Sequence, residues 1–201
     1  MRKIYLFRHA LPEFPGGVHV CLGITPDLPL SAEGTAAAAA WAAFLKEKGI
    51  TGIYTSPALR CRETAAALSG GEFPVTVIDA FHEIDYGEWE GVAYEEIRTR
   101  YAALYVQRGT DMSLMPPGGE PLEEAVERGT AALHSLLERT QGDVALVTHG
   151  GLSQALLWHI CGRPLSGVRS YHMDYAGLSV LQYDGAKFTL LALNQSIDKF
   201  T

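Results

Sequence analysis

The stretch "KIYLFRHALPEF", residues 3–14, decides the fold. Ile4 to Phe7 is a short run of large apolar side chains without alternation, the pattern of a strand buried on both faces of a parallel sheet. Arg8 and His9 stand directly at its exit, and Pro12 ends any continuation. Two potentially cationic side chains leaving a core together cost free energy unless an anion meets them.

The chain of 201 residues is 47% hydrophobic and 19% charged, enough apolar material for one sizeable core. One compact domain over residues 1–201 is expected. The longest unbroken apolar run, Ala36 to Leu45, falls well below the roughly 18 residues of a membrane-spanning helix. Only Ile4–Phe7 separates the charged start from Arg8, too little for a secretory apolar region, so a soluble, cytoplasmic protein is expected. Cys21, Cys61 and Cys161 are scattered, without C-x-x-C spacing, and read as reduced structural thiols. A formal charge of -7 argues against nucleic acid or a membrane surface as partner. Any anion site must therefore be local.

Helical patterns alternate with short apolar runs along the chain. Ser31 caps a helix through "AEGTAAAAAWAAFLKEK", stopped by Gly49, and "GIYT" follows as a strand. Ser56-Pro57 reads as the cap and first turn of the helix "ALRCRETAAAL", and "VTVI" as another strand. Residues 94–107 and 121–140 are helical in pattern, with the Pro/Gly-rich loop "DMSLMPPGGEP" between them. "VALVT" runs into His149, then Gly150-Gly151 opens a helix to about Cys161, and "LSVLQYDGAKFTLLAL" reads as a hairpin turning at Asp184-Gly185. This order predicts an α/β fold: a three-layer α/β/α sandwich with a mostly parallel central sheet.

Ligands of such sheets sit beyond the carboxyl ends of the strands. Arg8-His9 follows one apolar run and His149 another, while Arg60 lies in the first turn of the helix after a third. Their convergence predicts an anion site, and Arg favours a phosphoryl group because its planar fork matches tetrahedral oxyanions. No Walker-type glycine loop and no closely spaced histidine cluster occurs, so no metal or other cofactor is expected.

"LFRHA" resembles the L-x-R-H-G signature of the histidine phosphatase superfamily, the phosphoglycerate mutase-like phosphatases. The resemblance extends in order through "PLSAEG", "TSPALRCRETA", "HEIDYGEWEG" and "LVTHGG", and is strongest toward the alpha-ribazole and broad-specificity phosphatase branch. It implies that His9 is the phosphoryl-accepting nucleophile, that Arg8 and Arg60 grip the phosphoryl oxygens, and that His149 donates to them. It also makes Glu83 the general acid, Gly150 a backbone donor, and residues 91–119 a helical cap over the site. The implied partner is a small phosphorylated substrate, and the implied activity is metal-independent phosphomonoester hydrolysis. A phosphoglycerate mutase-type transferase and a non-catalytic anion-binding regulatory module are the alternatives.

Ala10 replaces the signature's Gly, adding one methyl beside the nucleophile, and Leu11, Pro12 and Pro15 replace polar residues. Asp27 in "GITPDLPL" stands one residue beyond the usual spacing and is not among the implied site residues. Two other enzyme classes fail on chain order. "HGGLSQA" superficially suggests a serine hydrolase at Ser153, but no Asp or Glu lies between Ser153 and the last histidine, His172. The sixth residue after each cysteine is Asp27, Ala67 or Gly167, never the Arg of a cysteine phosphatase.

Overall fold

The computed structural model describes residues 1–162 and 169–200. The opening stretch forms β1 (Arg2–Arg8), whose Ile4, Tyr5, Leu6 and Phe7 are all buried. Further strands are β2 (Ile53–Thr55), β3 (Val75–Val77), β4 (Val144–Thr148), β5 (Leu178–Tyr183) and β6 (Phe188–Gln195). They form one sheet in the order β3-β2-β4-β1-β5-β6. β1 to β4 run parallel, and the β5–β6 hairpin adds an antiparallel edge.

Strand geometry sends successive side chains to opposite faces, and that alternation builds two cores. Ile4 and Leu6 join Val144 and Leu146 beneath α6 (Leu122–Arg139) and α7 (Gly150–Ile160). Tyr5 and Phe7 join Ala145 and Val147 on the other face, under α2 (Ala42–Lys48) and α3 (Leu59–Ser69). Helices therefore cover both faces, as expected. Gly129 lets α6 close on α7, since a Cβ there would lie 3.0 Å from a Leu156 methyl.

Two long helical patterns break in the structure. Residues 32–48 form α1 (Ala32–Ala39), capped by Ser31 Oγ accepting from Gly34 N, and then a separate α2. At the junction Trp41 N bonds back to Ala38 O, a tighter turn than the α-helical one. The indole is buried against Phe7 and Phe44, and its Nε1 donates to Ala176 O at 2.9 Å. Residues 94–108 form α4 (Tyr94–Arg100) and α5 (Ala102–Arg108), divided at Tyr101, whose hydroxyl donates to Glu88 at 2.9 Å. Local propensity favoured continuous helices, and tertiary anchoring of one aromatic residue divided each.

Candidate active site

The pairing of β1 with β4 accounts for the centre of the site. Arg8 pairs with Thr148 in parallel register, so the next residue of each strand, His9 and His149, emerges on the same rim. His9 N donates to Thr148 O at 2.8 Å, and the imidazole centroids are 5.3 Å apart. On the other side of β4, Thr55 of β2 pairs with Val147, which delivers Ser56 to the rim and starts α3 with Arg60 in its first turn.

The hydrogen bonds fix the tautomers. His9 Nδ1 lies 2.8 Å from Ala10 O, which can only accept, so Nδ1 carries the proton and Nε2 keeps its lone pair. Burial first, then the charges of Arg60 and Arg8, holds the His9 pKa well below the ordinary imidazole value. At His149, Arg60 Nη2 donates to Nδ1 at 3.2 Å, leaving Nε2–H to donate to Ser56 Oγ at 2.7 Å. Burial, then Arg60, also holds the His149 pKa far down. Both rings are neutral near neutral pH.

Arg60 is fully buried, with Nη2 donating to Gly23 O at 2.7 Å, while its Nε and Nη1 have no hydrogen-bond partner among the described residues. Arg8 Nη1 donates to Met173 O at 2.8 Å, and its Nε is likewise buried without a partner. Buried guanidinium N–H groups left unpaired are a standing cost that an anion would remove.

Glu83 is buried at the amino end of α7. Its Oε1 accepts from Ile84 N and Leu152 N, and its Oε2 from Gly151 N, at 2.8–2.9 Å. The same carboxylate explains Gly151. A Cβ there would collide with the Glu83 carboxylate and the Tyr86 hydroxyl, so the glycine makes room for the acid. Burial outweighs the three N–H donors and raises the Glu83 pKa. Oε1 has both lone pairs engaged and Oε2 only one, so a proton on Glu83 sits on Oε2.

Arg8, His9, Glu83 and Gly150 line a cavity of about 200 Å³, walled by Val20, Leu22, Tyr86, Tyr94, Met112, Gln154, His172 and Tyr175. Arg60 and His149 touch this group without lining the cavity; both are fully buried beside it. Arg8 passes over Gly150, where a Cβ would meet its Nε at 3.1 Å. Ala10 is buried with Ala38 and Ala176, and its N–H donates to Thr64 Oγ1 at 2.9 Å, so the turn accepts the extra methyl. His19 packs on Phe14 at 4.4 Å and Cys21 is buried beside Trp89, leaving the intervening Val20 to face the cavity. His134 packs against Tyr183 and Phe188.

Several supporting residues escaped the sequence reading. Ser56 resembled a helix cap, but α3 starts only at Leu59 and the hydroxyl serves His149. Asp27 Oδ1 accepts from Leu59 N at 2.7 Å and stands 4.0 Å from Arg60 Nη1. Glu90, one of a run of acids that reads as a solvated face, accepts from the N–H groups of Gly23, Ile24, Thr25 and Tyr86. It thereby fixes the loop whose Gly23 carbonyl holds Arg60. The sequence signal for Glu90 was its place before Gly91, whose φ of 73° turns the chain.

A tetrahedral anion in this cavity would therefore meet the Arg8 guanidinium and the His9 imidazole lone pair, beside Glu83, whose pKa burial raises, with Arg60 buried against His149. The family model of the histidine phosphatase superfamily (branch 1) matches residues 4–196. Phosphoserine phosphatase 1 of Hydrogenobacter thermophilus is 30% identical over 200 residues, 96% of this chain and 92% of that protein. Mycobacterial glucosyl-3-phosphoglycerate phosphatase in complex with VO3 superposes with a TM-score of 0.87 at 24% identity, covering 98% of this chain and all of that one. Alpha-ribazole phosphatase of Shigella flexneri gives 0.81 at 22% identity over 96% of both chains. The last two show the shared fold. With the match spanning nearly its whole length, the chain belongs to the histidine phosphatase superfamily, branch 1.

Proposed function

We propose that this phosphatase hydrolyses a small phosphomonoester, without metal, through a phosphohistidine on His9. The His9 Nε2 lone pair attacks phosphorus, the bond to the leaving oxygen breaks, and Glu83 supplies that oxygen with a proton from Oε2. Water then attacks phosphorus, Glu83 takes its proton, the N–P bond breaks, and neutral His9 and inorganic phosphate result. Arg8 and Arg60 neutralise the phosphoryl oxygens throughout, which is most of what phosphoryl transfer requires. To donate to the phosphoryl group, His149 turns its Nε2–H from Ser56 Oγ, because Nδ1 accepts from Arg60 and carries no proton. Gly150 N–H is assigned as a further donor.

The observation that carries this reading is the 2.8 Å contact of His9 Nδ1 with Ala10 O, which assigns the proton to Nδ1 and leaves Nε2 unprotonated, together with the buried guanidinium nitrogens of Arg8 and Arg60 that have no hydrogen-bond partner among the described residues. Residues 91–119 are assigned as the cap: Tyr94 and Met112 wall the cavity, and buried Arg108 ties the segment together by donating to Met112 O and Leu114 O at 2.7 Å. The named substrates of the relatives, phosphoserine and glucosyl-3-phosphoglycerate, support a small phosphorylated metabolite. Free cysteines support a reducing, cytoplasmic setting, and no helix of the described residues is long and apolar enough to cross a membrane.

With chelator present, the wild type is expected to release inorganic phosphate from an aryl phosphate and from a phosphoglycerate. Accumulation of a positional isomer instead would establish a mutase. Glu83→Gln is expected to lower kcat/KM, which reports phosphorylation of His9, by roughly 100-fold or more on alkyl phosphates, and less on aryl phosphates, whose leaving groups need no proton. Equal losses on both would remove Glu83 as the acid. Ser56→Ala removes the hydroxyl that orients the His149 ring and sets its tautomer, and is expected to lower kcat up to about tenfold, with the circular dichroism of the wild type.

A further inference from the structure

We propose that Tyr175 is a positioning residue whose ring face holds the Arg8 guanidinium in its phosphate-gripping orientation. The purpose assigned to Arg8 rests on the phosphatase reading above. The geometry is independent of it: Arg8 Cζ lies 3.9 Å from the Tyr175 ring centroid, and the same ring is tilted against His9 at 5.5 Å. Arg has a long side chain with many rotamers, and a grip on a tetrahedral anion needs one of them. Met173 O fixes Nη1, Gly150 leaves room on one side, and the aromatic face closes another through its negative quadrupole.

The segment carrying Tyr175 is held more firmly than a loop wall requires. The Asn194 carboxamide grips Asp174 at both ends, donating to Oδ2 at 2.7 Å and accepting from Asp174 N at 2.8 Å. Ala176 N donates to His9 O, Arg8 N to Gly177 O, and Trp41 Nε1 to Ala176 O. Ala176 (φ 54°) and Asn194 (φ 46°) are the two non-glycine residues with positive φ among the described residues, and both belong to this clamp. Backbone strain of that kind persists where the surroundings over-determine it, which is characteristic of functional sites. Tyr175 also lines a second cavity of about 500 Å³.

Plain packing is the rival role, and two readouts separate them. The charged and titratable groups facing His9 are Arg8 on its own strand, Arg60 from α3, His149 at the start of α7, Tyr175 itself, and Glu83 across the cavity. If Arg8 swings away, one of the charges opposing the imidazolium is lost, and His9 protonates at higher pH. The acid limb of kcat/KM must then move upward. A packing defect lowers the active fraction without weakening phosphate binding by the folded protein, and the limb is read together with that affinity because burial also lowers the His9 pKa.

Inorganic phosphate is titrated calorimetrically into wild type, Tyr175→Leu, Tyr175→Phe and Asn194→Ala, and pH profiles are recorded on an aryl phosphate. Tyr175→Leu is expected to bind phosphate roughly ten- to thirtyfold more weakly, the range of a desolvated cation–π contact, with the acid limb raised. Tyr175→Phe, which keeps the ring face, is expected to restore affinity to within about threefold of wild type. Asn194→Ala should fall between. Wild-type affinity and an unmoved limb in Tyr175→Leu overturn the proposal, as does damage in Tyr175→Phe equal to that of Leu. Should Tyr175→Leu not fold, wild-type phosphate affinity in Asn194→Ala overturns it. Phosphate binding needs no turnover, so Tyr175-dependent binding in a protein that does not hydrolyse esters would separate failure of the catalytic reading from failure of this one.

Discussion

His9→Ala is expected to lower kcat/KM on an aryl phosphate by roughly 10,000-fold or more, as removal of a covalent nucleophile does elsewhere. The size follows from the absence of a substitute at that position. Among the described residues His149 is the only other imidazole in contact with His9, and both its nitrogens are engaged, one by Arg60 and one by Ser56. The Ser56 hydroxyl accepts from His149 and has no base aimed at its own proton. Cys61, at 3.4 Å from His149 Nε2, is buried with its thiol pKa pushed up to about 12, far from the thiolate needed for attack. Steady-state assays on His9→Ala, with circular dichroism to show a folded chain, check this. Residual activity above about 1% of wild type would place the nucleophile elsewhere.

Arg60→Ala is expected to cost roughly 1,000-fold in kcat, on the scale of an arginine that stabilises a phosphoryl transition state. Its guanidinium is fully buried, so the charge acts in a medium where solvent screening is weak. Arg60→Lys should recover little, because an ammonium cannot hold Gly23 O and His149 Nδ1 while presenting a planar fork. The pH profile carries a second signature. After burial, Arg60 is the largest cause depressing the His9 pKa, and likewise that of His149. In wild type, activity on the acid side is expected to persist below the ordinary imidazole value of about 6.5, because burial and the charges of Arg60 and Arg8 keep the attacking ring neutral. Without Arg60 the imidazolium is less disfavoured, so the acid limb moves to higher pH. An unmoved limb would mean that Arg60 does not act on His9 electrostatically.

Elements defined by burial on both faces were legible in the sequence. The runs at residues 4–7 and 144–147 have no polar interruption, which fits central strands, and their parallel register brings His9 to His149 from a separation of 140 residues. Helix continuity was less legible. Alanine-rich propensity ran on through Trp41, and only the distant carbonyl of Ala176 explains why the chain turns there. Among the candidate site residues, those singled out by their chemistry lie together in the structure, and groups defined by whom they support were not singled out. Glu90 looked like a solvated acid because its four N–H donors come from two loops that a linear reading does not join. Tyr175 lies 167 residues from Arg8 in a segment without periodic pattern, so nothing local marks its ring as a platform. Glu83 was found through the family pattern, but its seat at the amino end of α7 came from the fold, and that seat determines which oxygen carries the proton.

The most direct measurement is the site of phosphorylation during turnover. Glu83→Gln is mixed with an aryl phosphate, whose leaving group departs without a proton while the hydrolysis step lacks its base, and the reaction is quenched without acid. The digest is then mapped by mass spectrometry. A phosphoryl group on the peptide holding His9, acid-labile and absent when His9→Ala is added to the same chain, is the predicted result. Label on His149, Ser56 or Cys61, or continued turnover with no labelled intermediate, would contradict the account.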